Sequence, residues 1–147
     1  MGKVTVSRTI EHLTPERVDE LWSEIEPLLN AASEVESGAP NPVTSDCLRI
    51  MAMNRLAHIL GVFDGAKLDL ILVFEFAVVS GVKTASISAM AGRGLLRFRS
   101  EFWQDILDWF RAAGARAVDA YARPRLARIY QEKFGFDQGC SYVRMAL

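Results

Sequence analysis

The stretch that decides the fold runs from Val82 to Gly114 and reads VKTASISAMAGRGLLRFRSEFWQDILDWFRAAG. Its first part, Val82–Met90, has the pattern of a strand, and the apolar residues that follow Gly94 recur with helical spacing. Gly92 and Gly94 separate the two patterns, and Gly114 is the predicted C-terminal stop of the helix. The stretch therefore predicts a strand that passes through a glycine-rich turn into a long helix.

A second strand and a second helix follow. Arg116–Tyr121 is predicted to be a short strand, and Pro124 begins a helix that ends at Gly135. Phe136 is placed to make the hydrophobic contact of a Schellman-type cap. We expect the strand–helix–strand unit from Val82 through Tyr121 to be a parallel, right-handed crossover.

Before Val82 the sequence predicts an antiparallel meander. Its strands are Ala57–Phe63, Leu68–Val79 and Val82–Met90, joined by turns at Asp64-Gly65 and Ser80-Gly81. The middle strand, LDLILVFEFAVV, is apolar on both alternating faces. Such a strand is buried on both sides, so we expect helices on both faces of the sheet.

The first third of the chain predicts one strand and two helical segments. Val4–Ile10 alternates as a strand, and Thr14-Pro15 has the pattern of a helix N-cap followed by proline. Pro27 lies inside this helix and is expected to kink or split it. Thr44–Asp46 begins the next helix, which we expect to stop near Asn54.

Length and composition indicate one domain. The 147 residues are 50% hydrophobic and 24% charged, which fits a single domain spanning residues 1–147. With Ser141–Leu147 as a closing strand, the prediction is an α/β (α+β) domain. It has a mixed sheet of about six strands and helices on both faces.

Charge and cysteine usage exclude several classes of protein. A net charge of −1 argues against a nucleic-acid partner, and the longest apolar stretch is too short and too charged to cross a membrane. Cys47 and Cys140 lie far apart, and the two histidines do not cluster in the sequence. We therefore expect no disulfide framework, no metal site and a cytoplasmic location.

The C-terminal third favours an anionic ligand. Residues 91–147 carry ten basic side chains, of which nine are arginines. At Gly92-Arg93-Gly94-Leu95 the first helical N–H groups have no partner within the helix, and the helix dipole favours negative charge there. A pyrophosphate suits this position, and Arg93 and Arg97 are placed to assist. A tight turn that binds nothing is the alternative.

This arrangement resembles the GNAT superfamily of acyl-CoA-dependent N-acetyltransferases. Ala89–Gly94 matches the G-x-G part of the family's Q/R-x-x-G-x-G/A loop, and Ile129–Phe136, IYQEKFGF, closely matches its LYEKxGF signature. The resemblance implies a GNAT-like fold, acetyl-CoA as co-substrate, and a small-molecule or protein amine as acceptor. It also implies a CoA-binding set consisting of Met90, Ala91, Gly92, Arg93, Gly94, Leu95 and Arg97.

The sequence departs from the family pattern in three places. The leading Gln/Arg of the loop is replaced by Ala89, and Tyr121–Pro124 lacks the asparagine that many members have after the fifth strand. Val82–Met90 also lacks the carboxylate that many members use as general base. The resemblance therefore implies a transferase with a degenerate active site.

Two residues are candidates for catalysis. Tyr130 corresponds to the family tyrosine that protonates the departing CoA thiolate, and its alternative role is that of a core tyrosine. Glu75 is the only charged residue within Ile71–Val79 and is a candidate general base. The alternatives for Glu75 are an ion pair with an arginine such as Arg55 or Arg144, or a solvent gap at the sheet edge.

A looser resemblance suggests a different class of function. The Gly-Arg-Gly junction, the aromatic residues Trp103 and Trp109, and Arg123-Pro124 are similar to features of small GNAT-like proteins encoded among bacteriophage structural genes. This resemblance implies a non-catalytic virion or assembly protein. Its partners would be further copies of the chain or phage structural proteins.

Overall fold

The computed structural model describes residues 8–34, 45–120, 122, 124–137 and 145. Five strands within them form one sheet in the order β1-β2-β3-β4-β5. The strands are β1 (Thr9–Leu13), β2 (His58–Asp64), β3 (Lys67–Val79), β4 (Val82–Gly92) and β5 (Ala117–Ala120). The helices are α1 (Pro15–Glu20), α2 (Trp22–Glu34), α3 (Ser45–Met53), α4 (Leu95–Phe98), α5 (Gln104–Ala112) and α6 (Pro124–Lys133), and a π-helical segment, Arg99–Trp103, joins α4 to α5.

The sheet is mixed. Strands β1 to β4 pair antiparallel, and β4 pairs with β5 in parallel. The chain between β4 and β5 crosses over through α4, the π-helical segment and α5. The predicted meander, the parallel crossover and the α/β fold class are thus confirmed. The sixth predicted strand, Ser141–Leu147, lies outside the described residues apart from Met145.

Each face of the sheet has its own hydrophobic core. Helices α1 to α3 cover one face, which we call the α1 face, and α4 to α6 with the π-helical segment cover the other, the α5 face. In β3, Ile71 and Val73 belong to the α1 face, whereas Leu72 and Phe74 belong to the α5 face. The expectation of a middle strand buried on both sides is therefore confirmed through Phe74, while Val78 is 75% exposed.

The first helical segment breaks at a different place from the one that the sequence predicts. Thr14 caps α1, because its Oγ1 accepts from the Arg17 N–H at 3.2 Å. The break lies at Leu21, and Pro27 lies inside α2 without splitting it. Proline removes the bond to the Ser23 carbonyl, but Ser23 and Pro27 are both exposed, so water can replace that donor.

The two glycines that were predicted to end helices do so. Gly114 ends α5 with a φ of 93°, and Gly135 follows α6 with a φ of 83°. The Phe136 N–H donates to the Tyr130 carbonyl at 3.2 Å, and the two rings are in contact. The ring contact is the hydrophobic contact of a Schellman cap, whereas the hydrogen bond spans one residue more than the bond of that motif. In the described part of the chain, no helix is long and apolar enough to cross a membrane.

Candidate active site

Strands β4 and β5 separate in the middle of the sheet. Pairing runs from Thr84–Ala117 to Ile87–Ala120, after which β4 continues to Gly92. Ser88 is an extra residue in β4, because Val73 pairs with Ala89 and Phe74 with Ile87. Such a bulge bends a strand. Beyond it, no described strand pairs with β4 on the β5 side, so backbone groups of β4 face an open gap.

The glycine turn at the end of β4 is closely packed against β3. Gly92 has a φ of 134°, and a Cβ there would overlap the Asp69 carbonyl oxygen. Gly94 has a φ of 69°, and a Cβ there would lie 3.0 Å from Arg8 Nη1. Asp69 is itself an extra residue in β3, opposite the step from Val62 to Phe63. Gly92 is therefore required by close approach to the backbone of β3 as well as by conformation, whereas Gly94 is required by conformation and lies against the Arg8 side chain.

A buried arginine holds this turn from the inside. Arg8 is 4% exposed, and its guanidinium donates to the Arg93 carbonyl at 3.3 Å and the Gly94 carbonyl at 3.2 Å. Its Nε donates to Glu101 Oε1 at 2.9 Å, and Nη1 lies 3.8 Å from Asp69 Oδ2. Arg8 thus satisfies two carboxylates and two loop carbonyls at once. The sequence pattern contains no indication of this role.

The carbonyls that Arg8 binds determine where the neighbouring amides point. In a trans peptide the C=O and N–H groups are antiparallel, and the described residues contain no cis peptide bond. Because the carbonyls of Arg93 and Gly94 point at Arg8, the N–H groups of Gly94 and Leu95 point away from it. Phe98 N–H is bonded to the Gly94 carbonyl, so the preceding N–H groups form the open first turn.

One amide of the predicted CoA-binding set is already occupied. The Arg93 N–H donates to the Asp69 carbonyl at 2.8 Å and is not free to bind an anion. The side chains of Met90 and Ala91 are buried in the α5 and α1 cores respectively. These two residues therefore offer the gap only backbone groups.

The side chains around the turn favour an anion. Arg93 and Arg97 are exposed, and Arg97 Nε lies 3.1 Å from Glu101 Oε1. Glu101 also pairs with the buried Arg8, so its charge is shared between two cations. Outward-facing amides together with exposed guanidinium groups are a donor set that fits a diphosphate.

Tyr130 is buried in the α5 core. It is 3% exposed and contacts Phe134 and Phe136, with ring centroids 5.6 and 5.2 Å away. Burial raises the pKa of its phenol well above the ordinary value. The phenol is therefore protonated throughout the neutral range, and it can act only as a proton donor there.

The raised pKa of Tyr130 predicts a pH dependence of stability. Above pH ~10 the unfolded chain loses this phenolic proton while the folded chain keeps it, so the free energy of unfolding falls by about 1.4 kcal/mol per pH unit. Below pH ~10 both states are neutral and the effect vanishes. Urea unfolding of wild type and Tyr130→Phe between pH 8 and 11 measures the difference. Equal pH slopes for the two proteins would contradict the prediction.

Glu75 lies on the α1 face of β3. It is half-buried and paired with Ser86 of β4. Its neighbours Phe74 and Phe76 belong to the α5 core, which places Glu75 on the opposite side of the strand. No described residue forms an ion pair with Glu75, Arg55 included, and Arg144 lies outside the described residues.

A second carboxylate completes a row across three strands. Asp119 of β5 pairs with Ser86, so Glu75, Ser86 and Asp119 share the α1 face. The Oδ1 atom of Asp119 is buried, and no described residue donates a hydrogen bond to it. The pattern of RAVDAY predicts a strand and no role for Asp119, although a single acid within an apolar strand is a visible signal. Such an unsatisfied acceptor calls for a ligand.

Two surface grooves lie away from this corner. One, of about 510 Å³, is lined by residues of α2, and one, of about 260 Å³, is lined by residues of β1, β2 and the helices of the α5 face. Neither is lined by Gly92 to Arg97. The gap between β4 and β5, defined by strand pairing, is the better candidate because the chemical groups converge there.

Comparisons with known structures show which fold the chain has. No family model and no curated protein sequence matches the chain. An aminoglycoside acetyltransferase from an uncultured soil metagenomic sample is similar in structure, with a TM-score of 0.69 at 14% identity over 95% of this chain and 96% of that one. A ribosomal-protein-alanine N-acetyltransferase from Brucella melitensis biovar Abortus 2308 has a TM-score of 0.67 at 16% identity over 95% and 100%. The chain has the GNAT fold.

The GNAT fold leaves the function to be argued from the site. A transcriptional regulator from Bacillus halodurans C-125 is similar to the same extent, with a TM-score of 0.68 at 15% identity over 96% of this chain and 100% of that one. One fold serves several roles, so residues decide between them. The suggested link to bacteriophage proteins finds no support in these comparisons.

Proposed function

We propose that the chain is an N-acetyltransferase that takes acetyl groups from acetyl-CoA and passes them to an amine. The observation that carries the proposal is the orientation of the Gly94 and Leu95 N–H groups, which the contacts of Arg8 with the turn carbonyls direct outward. These amides and Arg93 would hold the diphosphate of CoA. The acyl arm would then extend along β4 into the gap beside β5.

The length of β4 suits this arrangement. Ser86 and Gly92 are six residues apart on one strand, which corresponds to about 20 Å. An extended pantetheine arm is of this order of length. The thioester would therefore lie where β4 and β5 separate, close to the row formed by Glu75, Ser86 and Asp119.

In this proposal Asp119 and Tyr130 carry the two proton transfers. The amine nitrogen attacks the thioester carbonyl, a C–N bond forms, the C–S bond breaks, and the sulfur leaves as a thiolate. Asp119 accepts the proton that the amine loses, and Tyr130 donates a proton to the thiolate. Glu75 helps to attract a cationic amine to the α1 face. The carboxylate missing from β4 is thus replaced by one on β5, directly opposite Ser86.

Asp119→Asn provides the test of this assignment. The variant keeps the shape of the side chain, so CoA binding should remain while the acetylation rate of a polyamine or aminoglycoside panel falls about 100-fold. Thiol release with acetyl-CoA measures the rate, and calorimetry with CoA measures binding. Wild-type protein that neither binds CoA at millimolar concentration nor releases thiol would contradict the proposed function.

Exposed apolar residues support the alternative function, that of a non-catalytic assembly protein. Val78, Val79 and Val82 at the β3–β4 turn are 75%, 44% and 40% exposed, and Trp109 is 38% exposed. Trp103 and Phe110, in contrast, are core residues. This alternative predicts a stable oligomer without CoA binding, whereas the transferase binds CoA whatever its oligomeric state.

A further inference from the structure

The only two histidines of the chain meet on the surface of the sheet. His12 is in β1 and His58 begins β2, and they are 46 positions apart in the sequence. His12 pairs with Leu60, which makes His58 its diagonal neighbour on the α5 face. His12 Nε2 and His58 Nδ1 lie 3.2 Å apart. The sequence gives no indication of this pair, because the two histidines lie far apart in it.

The spacing of the two nitrogens suits a shared metal ion. Imidazole nitrogens bind Zn²⁺ at about 2.0–2.1 Å, and two nitrogens 3.2 Å apart then subtend an angle of about 100° at the metal. This angle is close to that of a tetrahedral site. The same distance also fits a hydrogen bond, in which one ring donates its N–H to the other. The two nitrogens can therefore share either a proton or a metal ion.

Aromatic neighbours hold both rings in place. His58 stacks on Phe74 at 5.2 Å between centroids, and His12 contacts Trp109 at 5.5 Å. These contacts keep the two imidazoles beside each other, so less ordering is required when an ion binds.

A carboxylate faces the same opening. Asp105 of α5 and His12 both line the groove of about 260 Å³ on the α5 face, and the groove is otherwise apolar. Within the described ranges, no third side chain joins the two histidines in a metal-ligating group. The remaining coordination positions would therefore be taken by water, with Asp105 adding attraction for a cation.

We propose that His12 and His58 form a two-imidazole chelating site for a divalent transition-metal ion of the class that prefers nitrogen ligands, such as Zn²⁺ or Cu²⁺. The site lies on the β1–β2 edge of the sheet, away from the β4–β5 gap. It therefore stands independently of the acetyltransferase proposal.

The experiment titrates Cu²⁺ and Zn²⁺ into a Cys47→Ser, Cys140→Ser background, which removes the thiols as competing ligands. We expect saturable binding of one ion per chain by calorimetry, and an electron paramagnetic resonance spectrum of the Cu²⁺ form with coupling to two nitrogens. In the same background, His12→Asn and His58→Asn should each lower the affinity at least about tenfold, since even outer-shell changes cost that much.

Two outcomes would overturn the site. One is a background protein that shows no saturable binding or no nitrogen coupling. The other is binding that survives both histidine substitutions unchanged. Because the two side chains are partly exposed, both variants should fold, and circular dichroism checks this. The electron paramagnetic resonance spectrum of the background protein with Cu²⁺ tests the site even without the histidine variants.

Discussion

Replacing Arg8 with methionine is expected to lower the free energy of unfolding by about 3 kcal/mol, because it leaves buried partners without their cation. Glu101 and Asp69 lose a neighbouring charge, and the carbonyls of Arg93 and Gly94 lose their donors. When one partner is removed from a buried network, the remaining groups stay desolvated without a hydrogen bond, and this costs free energy. Urea unfolding monitored by tryptophan fluorescence measures the change.

The same substitution should weaken CoA binding. Without Arg8 the turn carbonyls are no longer held inward, so the Gly94 and Leu95 amides lose their fixed direction. A loss of about 1.4 kcal/mol in preorganisation corresponds to tenfold in affinity. Arg17→Met is the matched control, since Arg17 is partly exposed and its ion pairs with Glu11 and Glu20 are worth little. Equal losses of stability in both variants would contradict the role given to Arg8.

Replacing Gly92 with alanine is the second substitution that we expect to lower the free energy of unfolding strongly. The new Cβ would overlap the Asp69 carbonyl oxygen and crowd the Leu70 Cα, and both are backbone atoms of the neighbouring strand. Backbone cannot move away as a flexible side chain can, and a φ of 134° adds strain. We expect a loss of about 4 kcal/mol in the free energy of unfolding, measured by urea unfolding.

Gly65→Ala separates the clash from the backbone conformation. Gly65 has a φ of 62°, and a Cβ added there would meet no atom within 4 Å, so only conformational strain remains. That strain costs about 1 kcal/mol. A Gly92→Ala protein that is as stable as Gly65→Ala would show that the turn is not packed against β3 as described.

Local chemistry explains why much of the fold could be predicted from sequence. Thr14-Pro15, Gly114 and Gly135 mark helix ends through short-range geometry, and the structure confirms all three. The two-sided hydrophobicity of β3 predicted helices on both faces. The break at Leu21 was missed because Pro27 is the stronger local signal, and its missing hydrogen bond is tolerated on an exposed surface.

The parts of the site that sequence did not predict depend on long-range contacts. Arg8 and Glu101 are 93 positions apart, and nothing near Arg8 distinguishes it from a surface strand residue. Asp119 is visible in the sequence as a single acid within an apolar strand, but its position opposite Ser86 follows only from the β4–β5 register. The π-helical segment was also missed, since apolar residues at helical spacing do not reveal one extra residue in a turn.

The central claim is that the Gly94 and Leu95 amides bind a diphosphate, and nuclear magnetic resonance of the ¹⁵N-labelled protein tests it most directly. On titration with CoA, the amide resonances of Gly94 and Leu95 should shift saturably downfield, while that of Arg93 stays close to its position because it remains bonded to Asp69. Pantetheine, which lacks the diphosphate, should leave the two resonances in place. CoA that leaves Gly94 and Leu95 unshifted at saturating concentration would contradict the account.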